Sequence, residues 1–162
     1  MPARVILGFL ALALGACSTA SSKGRVEKFE RTVPLSSYQR IELAAKNKKM
    51  RVYLADDSDK RREGLMQAGK NDLGPEEGML FVFPTDGYLS FWMKNTPLPL
   101  DIAFLRADGT VINILAMKPY DLSNYSSAEP ARYALETHAG WFLRNDIEPG
   151  DRFDLSLPAA GR

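Results

Sequence analysis

The stretch Ser90-Phe91-Trp92-Met93-Lys94-Asn95-Thr96-Pro97-Leu98-Pro99-Leu100-Asp101 decides how this chain is read. Large apolar residues lie on both sides of a polar tripeptide and two closely spaced prolines. Pro97 biases Thr96 to extended backbone and forbids a smooth continuation, so Lys94 to Thr96 reads as a turn between strands. In a strand from Ser90 to Lys94, Ser90, Trp92 and Lys94 share one face, and Phe91 and Met93 share the other. Trp92 beside the Lys94 ammonium suits a cation–π contact or the wall and charge of a pocket. The plainer alternative puts Trp92 in the core, with Lys94 reaching out to water. Asn95 and Thr96 can hydrogen-bond nearby backbone and fix the turn. Asp101 opens an otherwise apolar strand and needs a partner, for which Lys94 and Arg132 are the candidates.

Outward from this stretch the pattern is one of short strands. Ile41–Ala45 and Met50–Leu54 flank Lys46-Asn47-Lys48, and Phe29–Leu35 reads as a possible edge strand. Asp57 or Ser58 is positioned to cap a helix over Asp59–Gln67, and Gly69–Glu77 reads as a loop. Gly78–Phe83 is a continuous apolar run whose length suits a strand buried on both faces. Pro84–Gly87 reads as a turn leading to a return strand over Tyr88–Met93. Leu98–Arg106 and Val111–Met117 form a hairpin about Asp108-Gly109, with both turn residues expected at positive φ. Lys118–Glu129 is irregular. Arg132–Glu136 is a short strand, after which Thr137 caps a helix from His138 to about Asn145. Phe153–Leu157 closes the chain. About eight short strands with one or two short helices read as a mainly β, single-domain sandwich or barrel-like fold.

At 162 residues, 45% of them hydrophobic and 25% charged, the chain has the composition of one ordinary globular domain. The formal net charge is +1. Residues 1–16 contain Arg4 and no acid, so removing them leaves 21 − 1 = 20 basic groups against 20 acidic ones. That balance argues against a nucleic-acid partner. Cys17 is the one cysteine, so neither an intrachain disulfide nor a cysteine-rich metal site can form. The one histidine, His138, lacks the neighbours of a zinc site.

Residues 1–16 read as a secretory signal: Arg4 supplies the positive end, and Val5–Leu14 is too short to span a bilayer, which takes about 20 residues. Leu14-Gly15-Ala16-Cys17 resembles a lipobox, with Cys17 as the lipidated residue. The alternative is a plain secretory signal cut near Ala20. Residues 17–28 then form the lipidated end and a flexible tether, and residues 29–162 the domain. Ser18 after the cysteine points to the outer membrane in a cell that has two.

The quoted stretch, together with Gly64-Leu65-Met66, Gly78-Met79-Leu80-Phe81, Pro130-Ala131-Arg132-Tyr133-Ala134-Leu135-Glu136 and Pro149-Gly150-Asp151, closely resembles the domain of unknown function 192 family. The resemblance covers roughly Met50–Leu157 and implies a β-rich, sandwich-like fold. The chain departs from the pattern at Ala68, where the family often carries arginine two residues after Gly-Leu-Met.

The candidate site is ligand-binding and comprises Trp92, Lys94, Asn95, Asp101 and Glu136, converging at one mouth of the fold; a structural polar network is the alternative. Met66, Met79 and Met93 stand in three of the motifs, where thioethers can bind Cu(I) but also fill gaps in a core. No metal or other cofactor is expected. The first functional reading is a lipid-anchored envelope protein, facing the periplasm, that binds a small polar ligand or an envelope partner. The second is a hydrolase using Asp101 and Glu136 as acid and base, which requires the two carboxyls to share an open cleft.

Overall fold

The computed structural model describes residues 31–157. The expected signal segment, Cys17, the expected tether and Phe29 lie outside that range. Nine strands and two short helices form a mainly β fold whose principal sheet curls into a half-barrel. In chain order the strands are β1 (Arg40–Ala45), β2 (Lys48–Ala55), β3 (Glu77–Gly87), β4 (Ser90–Phe91), β5 (Leu100–Leu105), β6 (Val111–Met117), β7 (Tyr125–Ser126), β8 (Ala131–His138) and β9 (Phe153–Asp154). The helices are α1 (Ser58–Glu63) and α2 (Trp141–Arg144). Seven strands make one sheet in the order β6-β5-β8-β3-β2-β1-β9, and β4 pairs with β7 in a separate ribbon.

The sheet is apolar on both faces because its central strands are buried on both. All six residues of β5 are buried. Alternation sends Leu100, Ile102 and Phe104 into one cluster, with Met79 and Phe81 of β3. Ala103 and Leu105 enter the other, with Leu80, Leu135, Trp141, Phe142 and Phe153. The second cluster is covered by α2. The first is covered by the β4–β7 ribbon and by the segment linking β2 to β3.

That link exists because β2 and β3 run parallel, from Arg51 opposite Glu77 to Ala55 opposite Phe81. Parallel neighbours cannot be joined by a tight hairpin; the chain must cross over a face of the sheet. Asp57 caps α1 by accepting the Asp59 and Lys60 N–H groups. The helix stops at Glu63, short of the expected Gln67, because Gly64 turns away at φ +50°. Leu65 therefore reaches the first cluster from a loop.

Several expected elements are revised. Residues 31–34 form no strand, and Leu35–Ser37 is a 3-10 turn. Pro84–Gly87 belongs to β3, whose pairing with β8 shifts register between Val82 and Gly87. The return strand over Tyr88–Met93 shrinks to β4, which pairs with the otherwise irregular 118–129 region. At the β5–β6 turn only Gly109 takes positive φ, at +88°. There the Gly109 N–H bonds back to the Arg106 carbonyl and the Arg106 N–H to the Thr110 carbonyl. A Cβ at Gly109 would come within 2.2 Å of the Phe153 carbonyl oxygen, so close packing as well as the turn requires glycine. Thr137 is buried in β8 and caps nothing; α2 starts at Trp141, after Gly140 at its N-cap, and β9 ends at Asp154.

Candidate functional site

The polar tripeptide forms the expected turn. Asn95 takes φ +56°, the Thr96 N–H bonds the Met93 carbonyl, and the Thr96 hydroxyl bonds the Lys94 carbonyl at 3.2 Å. The turn is tied outward too: the Asn95 carbonyl accepts from Gln67 N–H and the Thr96 carbonyl from Tyr120 N–H. Met93 points into the core, and Trp92 is 47% exposed, so the core placement of Trp92 is set aside. The Lys94 ammonium lies 5.2 Å from the Trp92 ring centroid, a cation–π distance.

Behind Trp92 is a pocket of about 460 Å³. Phe81, Phe83, Phe91, Leu65, Met66 and Tyr88 are among its walls, Arg61 and Arg62 stand at its edge, and Glu136 lines it from β8. The rings are mutually braced: Phe91 meets Phe81 edge-on at 4.9 Å, Phe104 at 5.9 Å and Phe83 at 6.4 Å. The Arg61 guanidinium lies 5.4 Å from the Phe83 ring centroid and donates to the Val82 and Asp56 carbonyls.

An adjoining groove of about 790 Å³ shares Arg62, Glu63, Met66 and Trp92 with the pocket and adds Lys94, Asn95, Thr32 and Val33. The first described residues are fastened along this groove. Glu63 accepts from the Thr32 and Val33 N–H groups and from the Thr32 hydroxyl. Arg31 donates to the Gly64 and Met66 carbonyls at 2.9 and 2.5 Å. Thus a guanidinium does serve the Gly-Leu-Met segment, but from Arg31. Ala68, where the family pattern often places arginine, is fully buried.

Glu136 is 5% exposed, and among the described residues no hydrogen bond or ion pair reaches its carboxyl. Burial pushes that carboxyl up to about 8. Desolvation disfavours the charged form, and no neighbouring cation offsets it.

Asp101 is elsewhere. It sits opposite Thr137 in the β5–β8 register, whereas Glu136 sits opposite Ile102. The two acids therefore project from opposite faces of the sheet. Asp101 accepts the Gly140 N–H at 2.7 Å, at the start of α2. Its carboxyl is raised by burial, opposed by the Gly140 N–H and by the Arg144 charge. Neither expected partner meets it: Arg132 pairs with Asp86 at 2.8 Å, and Lys94 faces Trp92. The structure thus brings Trp92 and Glu136 to the pocket, puts Lys94 and Asn95 on the adjoining groove, and separates Asp101 from all four.

His138 is satisfied by the Leu73 carbonyl at 2.9 Å. Met79 and Met93 are core residues of one cluster, and Met66 lines the pocket. Among the described residues no group of three His, Cys, Asp or Glu side chains is placed to hold a metal. No helix there is long and apolar enough to cross a membrane.

Residues 40–155 match the model of the DUF192 family, described as an uncharacterized ACR. The chain belongs to the DUF192 family. Two solved structures carry the same fold. One is a Sinorhizobium meliloti 1021 protein provisionally described as a transcription regulator, with 35% identity and a TM-score of 0.70 over 73% of this chain and 95% of that one. The other is a Novosphingobium aromaticivorans DSM 12444 protein of unknown function, also with 35% identity and a TM-score of 0.70, over 75% of this chain and 89% of that one. Among curated proteins none matches. Two pieces of the DUF192 resemblance reach the pocket: Gly64, Leu65 and Met66 of the first and Phe81 of the second are among its walls. Sequence reasoning about charge alone passed over them, since their role is to shape space rather than to carry a reactive group.

Proposed function

We propose that this DUF192 chain is a lipid-tethered cell-envelope binding module that takes a small polar ligand into the pocket beside Trp92. The observation that carries the reading is Glu136: a buried carboxyl, without a protein partner among the described residues, facing an aromatic-walled cavity. Isolated buried carboxyls are costly, and a fold with no use for one is better served by an apolar residue. A mostly apolar pocket of this volume with one convergent polar group is the usual form of a small-molecule site.

Two further observations support the reading. The lipobox-like Leu14-Gly15-Ala16-Cys17 would anchor the chain, and Thr32 and Val33 line the groove at the site. A tether from Cys17 to Arg31 holds the site within roughly 50 Å of the anchor when fully extended. The balanced charge speaks against nucleic acid, and so against carrying over the regulator description of the Sinorhizobium protein. Asp101 and Glu136 face opposite sides of the sheet, which removes the shared cleft that a hydrolase built on this pair requires.

The test is a ligand screen read by Trp92 fluorescence, with envelope metabolites added to the wild-type chain and to its Trp92→Phe variant. A saturable change in the first that is absent from the second supports the reading. No response to any metabolite class, together with an unchanged melting temperature, would overturn it.

A further inference from the structure

The floor and edge of the pocket beside Trp92 carry opposite charge potential, and on the proposed binding function that polarity selects a ligand class. At the floor stands Glu136, a residue 5% exposed whose carboxyl opens to the pocket and meets no protein partner among the described residues. At the edge stand Arg61 and Arg62. Arg62 is largely exposed, and its ion pair with Asp59 is long at 3.6 Å. Such a pair contributes little and exchanges readily. Arg61 donates to backbone carbonyls through one terminal nitrogen, with no other side-chain hydrogen bond among the described residues. Glu63, the acid at this edge, is already occupied by Thr32 and Val33. Between floor and edge the walls are Phe81, Phe83 and Phe91.

We infer that the pocket takes an aminoalkyl acid, a ligand whose ammonium group meets Glu136, whose apolar segment runs along the phenylalanine walls, and whose acidic group meets Arg61 and Arg62. This class rests on the binding function proposed for the pocket. Each end is selected by exclusion as well as attraction. An anion at the floor would lie against a second acid inside an apolar enclosure. An ammonium there gains the carboxylate and the faces of the surrounding rings. A ligand that is cationic at both ends would face two guanidinium groups on entry. A planar carboxylate or a phosphate is the group a guanidinium fork is built to hold.

Binding of such a ligand also moves a proton. Glu136 is held largely protonated near neutral pH by burial. An ammonium arriving at the floor makes the ionised form the favoured one. The Glu136 carboxyl then gives its proton to solvent, and a carboxylate–ammonium pair remains. The charged groups lining the pocket are Arg61, Arg62 and Glu63, and His138 lies two residues along the same strand, bonded to the Leu73 carbonyl.

The experiment uses the full-length chain in nanodiscs of phosphatidylglycerol, a lipid without an amine. Trp92 fluorescence and titration calorimetry are followed with 4-aminobutyrate, 6-aminohexanoate, 8-aminooctanoate and O-phosphoethanolamine, and with hexylamine, hexanoate and hexanol as single-ended controls. At least one two-ended compound should bind about tenfold or more tighter than every control and release a proton on binding. The preference among carboxylate and phosphate probes identifies the acidic end. Glu136→Gln should abolish both the preference and the proton release, and Arg62→Ala should reduce the best ligand to the level of hexylamine. If hexanol or hexanoate binds through Trp92 while the aminoalkyl acids do not, the pocket binds ligands but the class is wrong. Equal binding of the aminoalkyl acids to Glu136→Gln also overturns the inference. Silence from every compound, controls included, overturns the pocket reading itself.

Discussion

Asp101 and Glu136 are one register step apart on adjacent strands and face opposite sides of the sheet: Asp101 is opposite Thr137, and Ile102 is opposite Glu136. The pair therefore divides its work. Asp101 holds the entry to α2 through the Gly140 N–H, and Glu136 faces the aromatic pocket. Sequence spacing suggested a single site. The parity of β-strand side chains separates the two acids regardless of how close their backbones lie.

Glu136 makes stability depend on pH in a defined direction. Its carboxyl is raised from 4.5 to about 8, so the folded chain holds this proton more tightly than the unfolded chain. The stabilisation is full below about pH 4.5 and is lost as pH rises through about 8. The span corresponds to roughly 5 kcal/mol as an upper estimate. Glu136→Gln should flatten this loss and exceed the wild type in stability under alkaline conditions. Urea melts across the window check it, and a variant that declines as steeply as the wild type would refute it.

Asp101→Ala leaves the Gly140 N–H without its acceptor at the start of α2. The expected cost is about 1–3 kcal/mol, for losing a carboxylate acceptor from a half-buried donor. Because Asp101 is on the other face, Trp92 fluorescence and ligand response should not change. Denaturant melts and emission spectra of the same sample separate the two effects.

Lys94→Ala removes an exposed ammonium whose contact is the Trp92 ring. Stability should fall by no more than about 1 kcal/mol, as for cation–π pairs in contact with water. Trp92 emission should nevertheless shift, since a charge 5.2 Å from its ring centroid is gone. A loss several times larger in thermal melts would mean that Lys94 anchors the turn itself.

Gly64→Ala tests how the pocket wall is built. Gly64 sits at φ +50° and ψ −133°, a region that glycine alone occupies readily, and an added Cβ would approach the Phe81 ring at 3.2 Å. The expected cost is about 1–3 kcal/mol from the backbone, with Phe81 displaced toward the pocket. Melts measure the first, and a weakened ligand response measures the second.

Cys17→Ser should release the chain from membranes or leave an uncleaved precursor, because it removes the proposed lipid site. Fractionation and gel migration identical to wild type would refute the lipoprotein assignment.

The sequence by itself determined a good deal. Alternating and continuous apolar runs marked most strands of the main sheet, since burial on one or both faces writes directly into residue order. Asp57 and Ser58 announced the start of α1 through their capping side chains, and the structure gives the cap to Asp57. Pro97 and the Lys94-Asn95-Thr96 tripeptide announced a turn, because a turn depends on residues only a few positions apart; the contact of Trp92 with Lys94 was one of two readings they allowed. Pairing was another matter. That β2 and β3 run parallel, that β4 leaves the main sheet for β7, and that the 58–76 crossover lies over the Phe81 face are consequences of long-range register. Two strands of suitable pattern can pair in several ways, and the packing of the whole decides among them. For the same reason only the tertiary structure could separate Asp101 from Glu136. One residue of register selects the face, and burial beneath phenylalanines contributed from β3 and β4 then sets the charge state of the one acid that faces the pocket.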